Sequence, residues 1–234
     1  MKNYNLFLYW ENKPECNTPD LVNRCIRIFK DKCKNVVLVT DKNITDYIDI
    51  VSTEHLTHIA QKADYYRAKL LYTYGGIWLD IDTIMLQNLD VEWEKFVDSG
   101  KETCLSTYSI HHATPNVCIA YLMAKKNNIV FEKWVEKCEK LLLDRSKLQW
   151  ASLGGHLLGR IIVDNNYDNL IYPFPAISYR SGWTNTDKYY ITDEKFIEDE
   201  KIKIKNKKLI ILYGTNMYNK DIPENSFLNY LLNL

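Results

Sequence analysis

Short apolar runs alternate along the chain with longer stretches whose apolar residues recur every three or four positions. The run NLFLYW, Asn5 to Trp10, predicts a first strand. In TPDLVNRCIRIFKDKC, Leu21, Cys25, Ile28 and Phe29 share a helix face, with Thr18 placed to cap and Pro19 suited to the first helical position. NVVLVTD, ending at Asp41, is continuously apolar, as in a strand covered on both faces, and IDIVS predicts another short strand. A helix is predicted from about Leu56 to Tyr74, stopped by Gly75-Gly76, and then a strand from Ile77 to Ile81.

ETCLSTYS predicts a further strand. NVCIAYLMAKKNNIVFEKWVEKCEKLLLD predicts two helices broken near Asn127-Asn128, and GGHLLGRIIVDN another. The prolines of LIYPFPAIS keep it extended. KIKIKNKKLIILYG predicts one or two strands, and FLNYLLNL a short helix. Strands interleaved with helices predict an α/β sandwich. With no internal repeat and no low-complexity linker, residues 1–234 are expected to form a single domain.

Composition narrows the function classes. Thirty basic and thirty acidic side chains cancel, so no global field recruits nucleic acid or an anionic membrane, and no basic groove is evident. The six cysteines form no C-x-x-C pair, and Cys25 and Cys33, eight apart, are expected as buried thiols on one helix face. A reducing, cytoplasmic setting is the expectation. The apolar run in MKNYNLFLYW is too short for a signal peptide, and no stretch approaches the ~18 apolar residues of a transmembrane helix.

The chemistry concentrates in ADYYRAKLLYTYGGIWLDID, Ala63 to Asp82. On a strand, Ile77, Leu79 and Ile81 would face the core, and Trp78, Asp80 and Asp82 the other side. Ligands of open α/β sheets bind beyond the carboxyl ends of strands. Two carboxylates so close repel one another, and a divalent cation with a preference for oxygen, Mg2+ or Mn2+, relieves that repulsion. For an isolated D-x-D the alternative is an exposed turn, one aspartate capping the next element. Upstream, Asp64 and Arg67 share a helix face and suit an ion pair.

This composite resembles the signature of DXD-containing sugar transferases, especially glycosyltransferase family 32 and the catalytic domains of the large glucosylating toxins. There an Asp-x-x-Arg, an apolar helix, Gly-Gly, an apolar or aromatic pair and Asp-x-Asp occur in that order at the same spacing. Weaker similarity covers Trp10, the PNVCIAYLMAKKNNIVFEKWVEKC segment and YPFPAISY. The resemblance implies a GT-A, Rossmann-like sandwich with a mixed, mostly parallel central sheet flanked by helices. Residues 1–100 would mainly bind nucleotide-sugar, and 101–234 would supply the acceptor side and closing loops.

By the same resemblance, Asp64 and Arg67 hold the donor's sugar hydroxyls, and Trp78 lies near the base. Asp80 lies near the ribose, sugar and hydrated metal, and Asp82 ligates Mn2+ or Mg2+ directly. Trp10 is a candidate for stacking on the base. Asp80, Asp82 and Arg67 are the catalytic candidates. The implied reaction moves a sugar from a nucleotide-diphosphate sugar, UDP favoured over GDP, to a glycan or glycoconjugate acceptor.

One departure stands out. Family 32 members typically bring a histidine ligand from a late loop, and LIILYGTNMYNK has none; Asn216 is the candidate replacement. Gly154-Gly155 at a helix start is a candidate anion site. His156 and the pair His111-His112 are candidates for an acceptor base. Two rival readings remain. One is a nucleotide-sugar-binding module without turnover; the other is a haloacid-dehalogenase-like phosphatase with Asp80 as nucleophile.

Overall fold

In the computed structural model, residues 3–12, 15–108, 116–144, 148–150, 152–173, 177–180, 185–212, 214 and 217–234 are described. In chain order the first elements are β1 (Leu6–Tyr9), α1 (Asp20–Lys32), β2 (Val36–Val39), α2 (Ile59–Tyr74), β3 (Gly76–Leu79), β4 (Thr83–Met85), α3 (Asp90–Asp98) and β5 (Thr103–Tyr108). Then come β6 (Asn116–Ala124), α4 (Ile129–Leu143), α5 (Gly155–Asp164), β7 (Ile171–Tyr172), β8 (Ser178–Arg180), α6 (Glu194–Ile204), β9 (Leu209–Ile211) and α7 (Phe227–Leu231).

The chain forms two compact units whose segments interleave in sequence. The first takes Met1–Glu11, Val37–Leu79 and Asp90–Phe174. It carries a six-stranded sheet in the order β2-β1-β3-β6-β5-β7. There β3 pairs in parallel with β1 (Phe7 opposite Trp78) and antiparallel with β6 (Trp78 opposite Leu122). β5 runs antiparallel to β6 and parallel to β7. Helix α4 packs on both α2 and α5, and α5 packs against β6. This is the mixed α/β architecture that the alternation of strands and helices predicts.

Gly75 and Gly76 decide how the chain enters β3. Gly75 closes α2 with φ +66°, its N–H bonded to the Leu71 carbonyl, and Gly76 comes next with φ +110°. A Cβ on Gly75 would stand 2.7 Å from the Lys126 nitrogen, and one on Gly76 2.5 Å from the Asn5 carbonyl oxygen. Both the backbone conformation and the close approach therefore demand glycine.

The second unit takes Asn12–Val36, Asp80–Leu89 and Pro175–Leu234, with its own sheet in the order β4-β9-β8. β4 pairs antiparallel with β9, and β8 parallel with it. α1 packs on β4 through a buried face of Leu21, Val22, Cys25 and Phe29, and Cys33 is buried as well. Cys25 and Cys33 are thus buried thiols, as their helical spacing predicts.

Four local expectations change. NVCIAYLMA is the strand β6 and not a helix. Its Tyr121, Leu122, Met123 and Ala124 are fully buried, so it lacks the polar face by which period distinguishes helix from strand. KIKI closes α6: Glu200 and Ile204 face inward at helical spacing, while Ile202 is exposed. IDIVS is irregular, and the Val51 N–H donates to the Tyr65 hydroxyl where a strand would use a ladder partner. β3 ends at Leu79, two residues early, and all four of its residues are buried. Among the described residues no helix is long and apolar enough to cross a membrane.

Candidate functional site

Within the first unit, Asp64 and Arg67 sit one turn apart on α2 and are 6% and 4% exposed. The Arg67 guanidinium lies 3.3 Å from the Asp64 carboxylate. It also donates to the carbonyl oxygens of Ile119 at 2.6 Å and Ala63 at 3.2 Å. Its face rests on the Trp78 indole, 4.8 Å from the ring centroid. A planar guanidinium that meets a carboxylate, two carbonyls and an aromatic face is held in one orientation. Gly154, the residue before α5, leaves room for this pair: a Cβ there would lie 2.5 Å from Asp64 Oδ2.

Trp78 is therefore a core residue of β3 with Arg67 over its ring, and is 1% exposed. Trp10 stands just past the end of β1, half-buried, its N–H bonded to the Val39 carbonyl. His156 is exposed on the first turn of α5. Asn216, His111 and His112 lie outside the described residues.

Within the second unit, Asp80, Ile81 and Asp82 form a turn leading into β4, closed by the Thr83 N–H on the Asp80 carbonyl at 3.0 Å. The two aspartates thus belong to a turn and do not alternate along a strand. Asp80 is half-buried and Asp82 is 7% exposed. The Asp82 Oδ2 accepts the Gly214 N–H at 2.5 Å and the Tyr218 hydroxyl at 3.2 Å. Both partners fall on one oxygen, and neither carries a positive charge.

Burial, and next the charge of Asp80, push the Asp82 carboxyl up to about 6, against the pull of the Gly214 N–H and the Tyr218 hydroxyl. The Tyr218 phenol is driven well above its ordinary value by burial and by both carboxylates, so it stays a donor. The Cys25 thiol on α1 is likewise raised by burial and by the charge of Asp82.

Oxygen donors, mutual repulsion and an Oδ2 already fixed by two hydrogen bonds suit the pair to a hard divalent cation. Among the described residues no group of three or more His, Cys, Asp and Glu side chains gathers around one point. Magnesium tolerates few protein ligands when phosphate oxygens and water complete its shell. Gly214 and Tyr218 are contributors that the sequence pattern did not reveal. They lie more than a hundred residues from Asp82, and neither residue type marks a site by itself.

The sequence pattern of the family described as "Capsular polysaccharide synthesis protein" matches residues 1–150, and the chain belongs to this family. Two fungal proteins are similar over shorter stretches. O-glycosyltransferase PaGT of Phomopsis amygdali is 28% identical over 86 residues, which are 36% of this chain and 21% of that protein. Probable glycosyltransferase FCK3 of Fusarium pseudograminearum (strain CS3096) is 30% identical over 108 residues, 46% of this chain and 26% of that protein. The matches span about a quarter of the length of these relatives or less. Among solved structures, PaToxG glycosyltransferase aligns with a TM-score of 0.48 at 13% identity, covering 99% of this chain and 85% of that one.

Proposed function

We propose that this chain is a metal-dependent glycosyltransferase that moves a sugar from a nucleotide-diphosphate sugar, UDP favoured, to a glycan or glycoconjugate acceptor. The observation that carries the reading is the Asp80–Asp82 turn. There a buried carboxylate, pressed by a second one, is held by the Gly214 N–H and the Tyr218 hydroxyl. Such an arrangement is costly unless a cation joins it. Membership of a capsular polysaccharide synthesis family and two relatives named as glycosyltransferases favour the same reaction class.

Asp82, with Asp80, would hold Mn2+ or Mg2+, and Asn216 is the remaining ligand candidate. The cation would supply Lewis-acid stabilisation of the charge that grows on the departing diphosphate, a contribution of several kcal/mol. Gly214 and Tyr218 keep the Asp82 carboxylate oriented, so little reorganisation is needed when charge develops. Asp64 and Arg67, paired with one another, are the candidates to hold the donor's sugar hydroxyls. Trp10 is the stacking candidate for the base.

Screening nucleotide sugars by thermal shift, with and without Mn2+, tests the reading. Stabilisation by a UDP-sugar that needs Mn2+, together with release of UDP on turnover, is expected. Metal-independent binding without turnover would favour a binding module. Release of inorganic phosphate from a phosphomonoester would favour a phosphatase.

A further inference from the structure

Gln61 stands one turn before Asp64 on α2, is 1% exposed, and has no part in the assignments above. Its Nε2 donates to two backbone carbonyls, Leu148 at 3.2 Å and Gln149 at 3.0 Å. These bonds tie α2 to a stretch of chain 87 and 88 residues further on.

The same stretch is fastened again just beyond. The Gln149 N–H donates to the Ser152 hydroxyl at 2.8 Å, and the Ser152 N–H to the Gln149 carbonyl at 3.0 Å. The Leu153 carbonyl then accepts the Trp134 indole N–H from α4 at 2.7 Å. Gly154 follows, against the Asp64 carboxylate. A Cβ on Gly154 would stand 2.5 Å from Asp64 Oδ2 and 3.1 Å from the Ile119 side chain, and the Ile119 carbonyl holds Arg67.

Stability alone does not call for a glutamine here. Among the described residues its Oε1 is buried and accepts no hydrogen bond. The cost of an orphaned buried oxygen is of the same order as the gain from two bonds to carbonyls. What the amide alone supplies is a fixed distance between α2 and residues 148 and 149. That distance bears on how closely Gly154 approaches Asp64, one turn along the same helix.

We propose that Gln61 is a positioning residue for the donor's sugar. Through the Leu148 and Gln149 carbonyls it seats Gly154 against Asp64, and so fixes where Oδ2 meets a sugar hydroxyl. A displacement of a fraction of an ångström spoils a hydrogen bond aimed at one hydroxyl. The assignment rests on the glycosyltransferase reading, with Asp64 as a sugar contact.

Titration calorimetry of the full chain in Mn2+ with UDP, UDP-glucose and UDP-galactose tests it. Gln61→Met fills a similar volume without a donor, and Trp134 still anchors Leu153, so unchanged circular dichroism is expected. It is expected to weaken the tighter-binding UDP-hexose about tenfold and to leave UDP within about twofold of the parent. Gln61→His keeps an N–H at similar reach and is expected to hold the parental ratio of the two affinities. Equal losses for UDP and UDP-hexose would overturn the proposal, because a general disturbance of the fold acts on both. Failure of Gln61→Met to fold would overturn it too, by making the amide a structural requirement. Parental affinities in Gln61→Met, or a His variant that behaves like the Met one, would do the same while leaving the glycosyltransferase reading intact. A parent that binds neither UDP nor either UDP-hexose would overturn that reading and this assignment with it.

Discussion

Asp64 and Asp82 are buried to nearly the same degree, yet they solve the burial of a carboxylate in opposite ways. Asp64 has a guanidinium 3.3 Å away, and that guanidinium is braced by Trp78 and two carbonyls. Charge and hydrogen bonds are answered within the first unit. Asp82 is answered by a backbone N–H and a phenol, with a second carboxylate near enough to raise its pKa. The contrast separates a carboxylate answered by an opposite charge from one that, under the proposed function, gains most from a cation.

The sharpest way to break that contrast is Asp82→Ala. Turnover, read as release of nucleoside diphosphate, is expected to fall about a thousandfold while circular dichroism stays unchanged. Near-parental activity in Mn2+ buffer would remove Asp82 from the metal site. Arg67→Ala attacks the other region and should act first on stability. It removes the guanidinium that lies 3.3 Å from the buried Asp64 carboxylate, at a cost of about 3–5 kcal/mol and a Tm loss on the order of 10 °C. An unchanged Tm would mean that Asp64 is not dependent on its partner.

Gly154→Ala presses on the same ion pair from outside and should cost about 1–3 kcal/mol by melting. The cation-dependent shift of Tm should survive it. Asp82→Asn works in the opposite direction. With the buried charge gone, the metal-free protein should gain about 1 kcal/mol near neutral pH, and Mn2+ should no longer raise its Tm. A stable Asn variant that still responds to Mn2+ would shift the metal elsewhere.

Glu200 supplies the smallest and most discriminating comparison, since it shares a unit with Asp82 but has positive partners. Burial would raise its pKa. The hydrogen bonds from Lys203 and Tyr179 and the charge of Lys188 outweigh that and hold the carboxyl below its usual range. A depressed folded pKa contributes stability above the unfolded value, and that stability is lost as pH falls through the folded value. Glu200→Gln should therefore lower Tm by about 2–4 °C near neutral pH, and the difference should shrink as pH falls below the ordinary carboxylate range. A gap that persists in acid would mean that packing, not charge, sets it.

Much of this was legible locally. The strand–helix alternation fixed the fold class because each element buries one face, and period reports which. Gly75-Gly76 could be read as a stop because only glycine accepts those backbone angles. The Asp64–Arg67 pairing came from helical spacing alone. Where both faces are buried, as in β6 and β3, the period carries no information. Helix-favouring Ala, Leu and Met in NVCIAYLMA were overruled by a central place in the sheet.

By itself, then, the sequence determined the α/β class, the helix and glycines leading into β3, and the two carboxylates just beyond it. Tertiary structure decided that those carboxylates belong to a turn, and that Gly214 and Tyr218 hold one of them. The physical reason is the same in each case. Local propensity and spacing act over a few residues, whereas burial, repulsion and hydrogen bonding depend on partners that only folding brings within reach.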